Sequence, residues 1–148
     1  MNKDFLDLLR SFGDGGVRFL VVGAYALAVH GRPRATGDLD VWVEPTPENA
    51  PKVVHALQSF GAPLGGLSID DLSKPGVVFQ IGVEPRRIDV LTRITGVSFE
   101  SAWPNRKEVL VEGLNIPVIG RGEFIKNKRA TGRLKDLADA DSLEAGDR

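Results

Sequence analysis

Two short apolar stretches of this chain carry acids in places where an acid is costly. In Asp38-Leu39-Asp40-Val41-Trp42-Val43, the side-chain period of a strand puts Asp38 and Asp40 on one face and Leu39 and Val41 on the other. Carboxylates held side by side raise each other's pKa unless a cation lies between them, and a divalent ion with oxygen ligands is the usual remedy. The plainer reading makes Asp38 a turn residue at the strand's start and faces Asp40 to solvent. Arg87-Ile88-Asp89-Val90-Leu91 sets a third acid in another apolar strand, where a charge must be paired or ligate a metal. If the two strands are neighbours, Asp38, Asp40 and Asp89 converge. Three carboxylates suffice for a two-magnesium clamp on the attacking and leaving oxygens of a phosphoryl or nucleotidyl transfer. The alternative for Asp89 is a surface pair with Arg86 or Arg87.

Ahead of the acids lies Val21-Val22-Gly23-Ala24-Tyr25-Ala26. A glycine after a buried strand, opening a short helix, lets backbone amides approach a phosphate closely. Such turns are common, and no Gly-x-x-x-x-Gly-Lys-Ser/Thr loop occurs. His30 ends the apolar helix as a cap, a packing residue, or a contact to phosphate or acceptor. Arg34 and Thr36, just before the acidic pair, either neutralise phosphate or tie the loop. Tyr25 and Trp42 read as core or cavity-wall aromatics able to stack on a base.

The elements that must position these groups follow from periodicity. Phe5, Leu6, Leu8, Leu9 and Phe12 mark an amphipathic helix stopped by Gly13-Asp14-Gly15-Gly16. Val17 to Val22 reads as a strand buried on both faces, 24–30 as a short helix, and Leu39 to Val43 as a second strand. Thr46-Pro47-Glu48 supplies an N-cap hydroxyl, a first-turn proline and an acid, which predicts a helix over 47–60 ended by Gly61. The stretch 62–76 reads as a loop with one helical turn near 68–71. Strands over 77–83 and 87–91 suggest a hairpin, and 109–111 with 116–119 a further pair. Closing helices are expected over 122–130 and 134–143. The order predicts an α/β (α+β) fold: a mixed β-sheet with helices packed on it, in a single domain over 1–148.

Composition narrows the chemistry. The chain has 148 residues, 42% hydrophobic and 26% charged, a globular mix of one-domain size. Without cysteine it has no thiolate nucleophile and no Cys-ligated zinc. Its 19 Lys+Arg against 20 Asp+Glu produce no strong global field for polyanions, so nucleotide binding must be local. The segment Arg121 to Lys135 nevertheless holds Arg121, Lys126, Lys128, Arg129, Arg133 and Lys135 against Glu123 alone. It is either a phosphate-binding patch or a solvated helix face. The start does not read as a signal peptide, no stretch is long enough to span a membrane, and no DNA-binding motif is seen. A cytoplasmic location is expected.

Val22-Gly23-Ala24-Tyr25-Ala26, His30-Gly31, Arg34-Ala35-Thr36, Asp38-Leu39-Asp40 and Asp89, in this order, resemble the DNA polymerase β-type nucleotidyltransferase superfamily. The chain is most similar to small prokaryotic members related to abortive-infection and type IV toxin–antitoxin enzymes. That resemblance implies magnesium, with a two-ion site, and a nucleoside triphosphate such as ATP. An acceptor hydroxyl on an RNA end, a protein or a small molecule attacks the α-phosphate and pyrophosphate leaves. Carried over by position, Gly23 and Ala24 cradle the triphosphate, and Asp38, Asp40 and Asp89 are the catalytic, metal-holding acids. Asp89 also helps deprotonate the acceptor. Many members have Gly-Gly or Gly-Ser where this chain has Gly23-Ala24, so a side-chain contact to phosphate is lost. The stretch 124–136 resembles the Lys, Arg and Asp elements of the toxin-like enzymes, with Lys128 on the triphosphate, Arg133 beside it and Asp136 orienting them. An antitoxin partner or self-association is implied as well. Competing readings are a nucleotidyltransferase fold that binds or regulates without catalysis, and an oxygen-ligand metal domain without nucleotide.

Overall fold

A computed structural model describes residues 1–32, 37–83 and 86–146. Arg34 and Thr36 therefore lie outside the described residues. Helix α1 (Lys3–Asp14) is capped by the Asn2 side chain, which accepts the Asp4 amide, and it buries Phe5, Leu6, Leu8, Leu9 and Phe12. Strand β1 (Phe19–Val22) is buried along its whole length and runs straight into α2 (Gly23–Val29). Strand β2 (Leu39–Val43) then returns antiparallel to β1.

The chain next leaves the sheet through α3 (Ala50–Phe60) and α4 (Ile69–Leu72). It re-enters as the hairpin β3 (Val78–Ile81) and β4 (Ile88–Leu91). Helix α5 (Phe99–Ala102) continues into a 3-10 turn at Trp103–Asn105. A second antiparallel pair follows, β5 (Lys107–Val111) with β6 (Leu114–Val118). Helices α6 (Arg121–Thr131) and α7 (Leu134–Ala145) close the chain and pack on each other. Strand order is β3-β4-β2-β1-β6-β5, with β2/β4 and β1/β6 parallel. Parallel neighbours cannot be joined by a tight turn, so α3, α4 and β3 serve as the crossover between β2 and β4.

The mixed sheet with packed helices matches the fold class that periodicity predicts, and both strand pairs form. Boundaries shift where local bonding overrides the signal. Regular helix α3 starts at Ala50, three residues after the expected position. The Thr46 hydroxyl still accepts an amide, that of Asn49, at 3.2 Å. Asn49, however, is committed to backbone groups of Arg18 and Glu44 by three bonds of 2.8–3.0 Å, so the first turn belongs to the β1–β2 edge. Helix α5 was not expected. Its one marker is Ser98, whose hydroxyl accepts the Ser101 amide.

Candidate active site

Directly paired residues of neighbouring strands share a sheet face. Val22 pairs with Asp40, and Asp40 with Asp89, so two of the three acids lie side by side in one row. Asp38 follows on the same face by alternation. Its carboxylate accepts the Arg87 amide at 3.1 Å, which fixes it at the mouth of the β2–β4 pair.

This row is electrostatically loaded. Burial, then the charges of Asp89 and Asp38, push the Asp40 carboxyl up to about 6, with a hydrogen bond to Asp89 adding to the rise. Arg87 opposes it. The Arg87 fork grips both oxygens of Asp89, at 2.8 and 3.2 Å, and its far nitrogen lies 3.6 Å from Asp38. Asp89 is paired with Arg87, as the alternative reading has it, but the pair is not a surface one, and Asp89 also stands in register with Asp40. Asp89 itself is only 8% exposed.

Gly23 makes the close approach at the end of β1. Its φ is +68°, and a Cβ there would overlap the Asp40 carboxylate. Backbone, not side chain, can lie against the acid at this point. Gly23→Ala should cost about 2 kcal/mol of stability. Gly31→Ala, also at positive φ (+91°) but with open space around it, should cost about half that from strain alone. Paired urea denaturation curves check the difference, and equal losses would mean that Gly23 is not pressed on Asp40.

Gly23, Ala24, Asp38 and Asp40 form one wall of a cavity of about 460 Å³, and Lys128 and Arg133 form part of another. The basic segment and the acids thus face each other. Lys128, however, is already engaged. Its Nζ donates to Asp136 at 3.1 Å and to Asp139 at 3.2 Å, and all three side chains are largely buried. Thr131 and Arg133 also donate to Asp136, at 2.7 and 2.8 Å. Burial alone would raise the Asp136 carboxyl, but these bonds outweigh it and hold it below its ordinary value. Among the described residues the cluster sets two cations against two acids, so it orders the wall more than it attracts anions.

Arg93 and Lys135 also line the cavity, are exposed, and have no ion-pair partner recorded among the described residues. Lys135 is one of the cations in the basic segment; Arg93 was missed. It lies two residues past the end of β4, where the strand period gives no signal. His30 is not on this wall: its Nε2 lies 2.8 Å from the Ile119 carbonyl oxygen, and burial lowers its pKa. Trp42 is core, 1% exposed, edge-on to Phe99, and Tyr25 packs edge-on to Phe5.

The chemistry of the donor set suits a hard divalent cation: three carboxylates, oxygen atoms only, and a raised Asp40 that added positive charge would relieve. Among the described residues no three such side chains already surround a common point. Arg87 supplies the positive charge there instead.

No protein-family model matches the chain, and no curated protein matches it in sequence. Solved structures do. It superposes on TM1012 from Thermotoga maritima, assigned as a nucleotidyltransferase, with a TM-score of 0.56 at 16% identity, over 100% of this chain and 97% of that one. The lincosamide antibiotic adenylyltransferase LnuA, solved with lincomycin bound, matches with a TM-score of 0.60 at 13% identity over 97% and 96%. The chain has the nucleotidyltransferase fold. An antigenic nucleotidyltransferase-like protein from Paracoccidioides brasiliensis agrees, with a TM-score of 0.55 at 15% identity, over 95% of this chain and 74% of that one. Within that fold, Asp38 and Asp40, the Gly23 turn and the basic wall surround one cavity, and no helix among the described residues is long and apolar enough to cross a membrane.

Proposed function

We propose that this chain is a nucleotidyltransferase that moves a nucleoside monophosphate from a triphosphate such as ATP to an acceptor hydroxyl. The observation that carries the reading is Asp40, paired in register with Asp89 and pressed on Gly23, facing with Asp38 a cavity that exposed cations also line. The acceptor oxygen forms a bond to the α-phosphorus, the bond from that phosphorus to the bridging oxygen breaks, and pyrophosphate leaves. The acceptor proton passes to a carboxylate oxygen of the Asp40–Asp89 pair. Asp38, Asp40 and Asp89 would hold magnesium, which neutralises developing charge on the phosphate oxygens. Gly23 and Ala24 bring backbone amides to the triphosphate. Arg93 and Lys135 supply its counter-charge, with Arg133 beside them, and Lys128 fixes the wall they stand on. A toxin-like role with an antitoxin partner is the finer extension of the same reading.

The test is transfer of label from each α-labelled triphosphate, with magnesium, to RNA, protein and small-molecule pools in turn. Label on one pool that disappears in Asp40→Ala supports the enzyme. No transfer, together with no magnesium-dependent triphosphate binding, would overturn it; binding without transfer would favour the regulatory reading. Growth arrest on induced expression, relieved in Asp40→Ala, tests the toxin role. Arg93→Ala should weaken ATP binding about tenfold, the usual worth of one charge-assisted contact, with the fold intact. Titration calorimetry reads it, and unchanged affinity would remove Arg93 from the phosphate site.

A further inference from the structure

The sheet ends on β3, whose one neighbour in the strand order is β4. Along an antiparallel pair, residues alternate between those that exchange backbone bonds with the neighbour and those whose N–H and C=O point away from it. The phase is fixed at both ends of β4. The Thr92 amide donates to the Val77 carbonyl at 3.0 Å, and the Arg87 carbonyl accepts from Leu39 of β2 at 2.9 Å. Val77, Phe79 and Ile81 therefore bond toward β4. Val78 and Gln80 aim their N–H and C=O out of the sheet, where no backbone partner among the described residues meets them.

Open edges invite pairing, and sheets ordinarily guard them with charge or proline. The β5 edge is guarded: Lys107 and Glu108 begin it, and Arg106 holds Glu108. From Gly76 to Val83 the β3 edge has neither a charged residue nor a proline. It also carries exposed apolar side chains, Val78 at 58% and Val83 at 81%. The order of residues says which strand fits. About Phe79, the segment Gly76-Val77-Val78-Phe79-Gln80-Ile81-Gly82 has nearly the same pattern in both directions. A glycine of positive φ stands at each end, at +102° and +80°, with a β-branched residue inside each. Turned antiparallel on itself, the segment sets Gly76 against Gly82, Val77 against Ile81, Val78 against Gln80, and Phe79 against Phe79. The same register joins the outward groups, since each Val78–Gln80 pair then exchanges two backbone bonds. A contact between identical patches must be self-complementary in this way. Charge agrees, because an uncharged edge brings no like charge against its own copy.

We infer that β3 pairs with β3 of a second copy of this chain, antiparallel about a two-fold axis at Phe79, to make one continuous sheet from two chains. An axis perpendicular to the sheet keeps both acid rows on one face, five strand spacings of ~4.8 Å apart, or about 24 Å. The pairing is independent of the nucleotide chemistry, and its tests use no substrate. A single strand pair is a small contact, so the dimer depends on concentration. Sedimentation from about 10 µM to 1 mM, the range of weak association, should show the mass rising from 16.0 kDa toward twice that and no further. Over the same range, amide hydrogen exchange should slow at Val78 and Gln80 far more than at Phe79 and Ile81, which already bond to β4. Val78→Lys puts a charge on the open edge and should leave a folded monomer throughout. The chain has no cysteine, so Phe79→Cys reports the register. Residues directly opposed in a pair that exchanges no backbone bonds stand close enough for a disulfide, and oxidation should cross-link this variant faster than Gln80→Cys, whose opposite number is Val78. A mass fixed at 16.0 kDa, a dimer that survives Val78→Lys, growth beyond two copies, or equal cross-linking at the two positions would each overturn the inference. Should Phe79→Cys not fold, the exchange pattern of the parent decides alone: a rising mass without slowing at Val78 and Gln80 means that another surface joins the copies.

Discussion

Asp40→Asn should yield a protein that is more stable than its parent at pH 8 and unable to transfer a nucleotide. The Asp40 carboxyl rises from 3.8 to about 6 on folding because it is buried beside Asp89 and Asp38. A raised folded-state pKa means that the native state binds the proton more tightly. The parent is therefore fully stable at this site below about pH 4, loses stability as pH climbs toward 6, and carries the whole penalty above that. At about 1.4 kcal/mol per pKa unit the penalty is roughly 2–3 kcal/mol. An uncharged amide removes it. In magnesium-free buffer the variant's advantage should be present at pH 8 and gone by pH 4, as read by urea denaturation at the two values. An advantage that does not change with pH would mean that Asp40 is not strained by its neighbours. Transfer should fall about a thousandfold, since several kcal/mol of charge stabilisation at phosphate depends on this side chain.

Lys128→Met should act in the opposite direction, destabilising the fold by about 3 kcal/mol. The substitution keeps the length of the side chain but strands two buried carboxylates, and removing one partner of a buried pair is costly because the other charge stays behind. Asp136 keeps Thr131 and Arg133, which limits its share of the loss. The acid limb of stability should move as well. Asp136 is held below its ordinary value, so in the parent its contribution is present above about pH 4 and lost as pH falls further; without Lys128 that loss begins at higher pH. Adding Asp139→Asn to Lys128→Met should recover part of the stability, because it removes one of the two carboxylate charges that Lys128 had balanced. If the double variant is no better than the single one, the cluster is not the source of the effect.

These two sites show what sequence could and could not disclose. The acid row was legible because the strand period dictates which side chains share a face, and because an acid in an apolar strand needs a reason. The Gly23 turn was legible through its place between strand and helix. The state of Lys128 was not. A count of cations over 121–135 gives the sign of the segment, but Asp139 pairs with Lys128 across the α6–α7 turn, and helical register alone does not reveal that partner. Arg93 escaped because the strand ends at Leu91, as read, and beyond it the strand period no longer says which way a side chain faces. His30 was read from its position as a cap, a packing residue or a phosphate contact, and it takes the first two: it caps α2 and its ring lies against the Ile119 carbonyl and Phe124.

The parallel pairing of β2 with β4 also dictates when this molecule acquires its chemistry. Asp38 and the Arg87 amide it holds are 49 residues apart, and closing a loop of that length costs about 3 kcal/mol before any contact repays it. As the chain emerges from the ribosome, β1, α2 and β2 can form while the acids still lack their partner. Asp89 joins only after the hairpin has been made, and the turn after Arg93 is pinned only once α6 is available to receive Gly96. The basic wall comes last, with α7. A chain cut before α6 and α7 therefore holds the acid row with Arg87 but without the basic wall that faces Asp38 and Asp40 across the cavity.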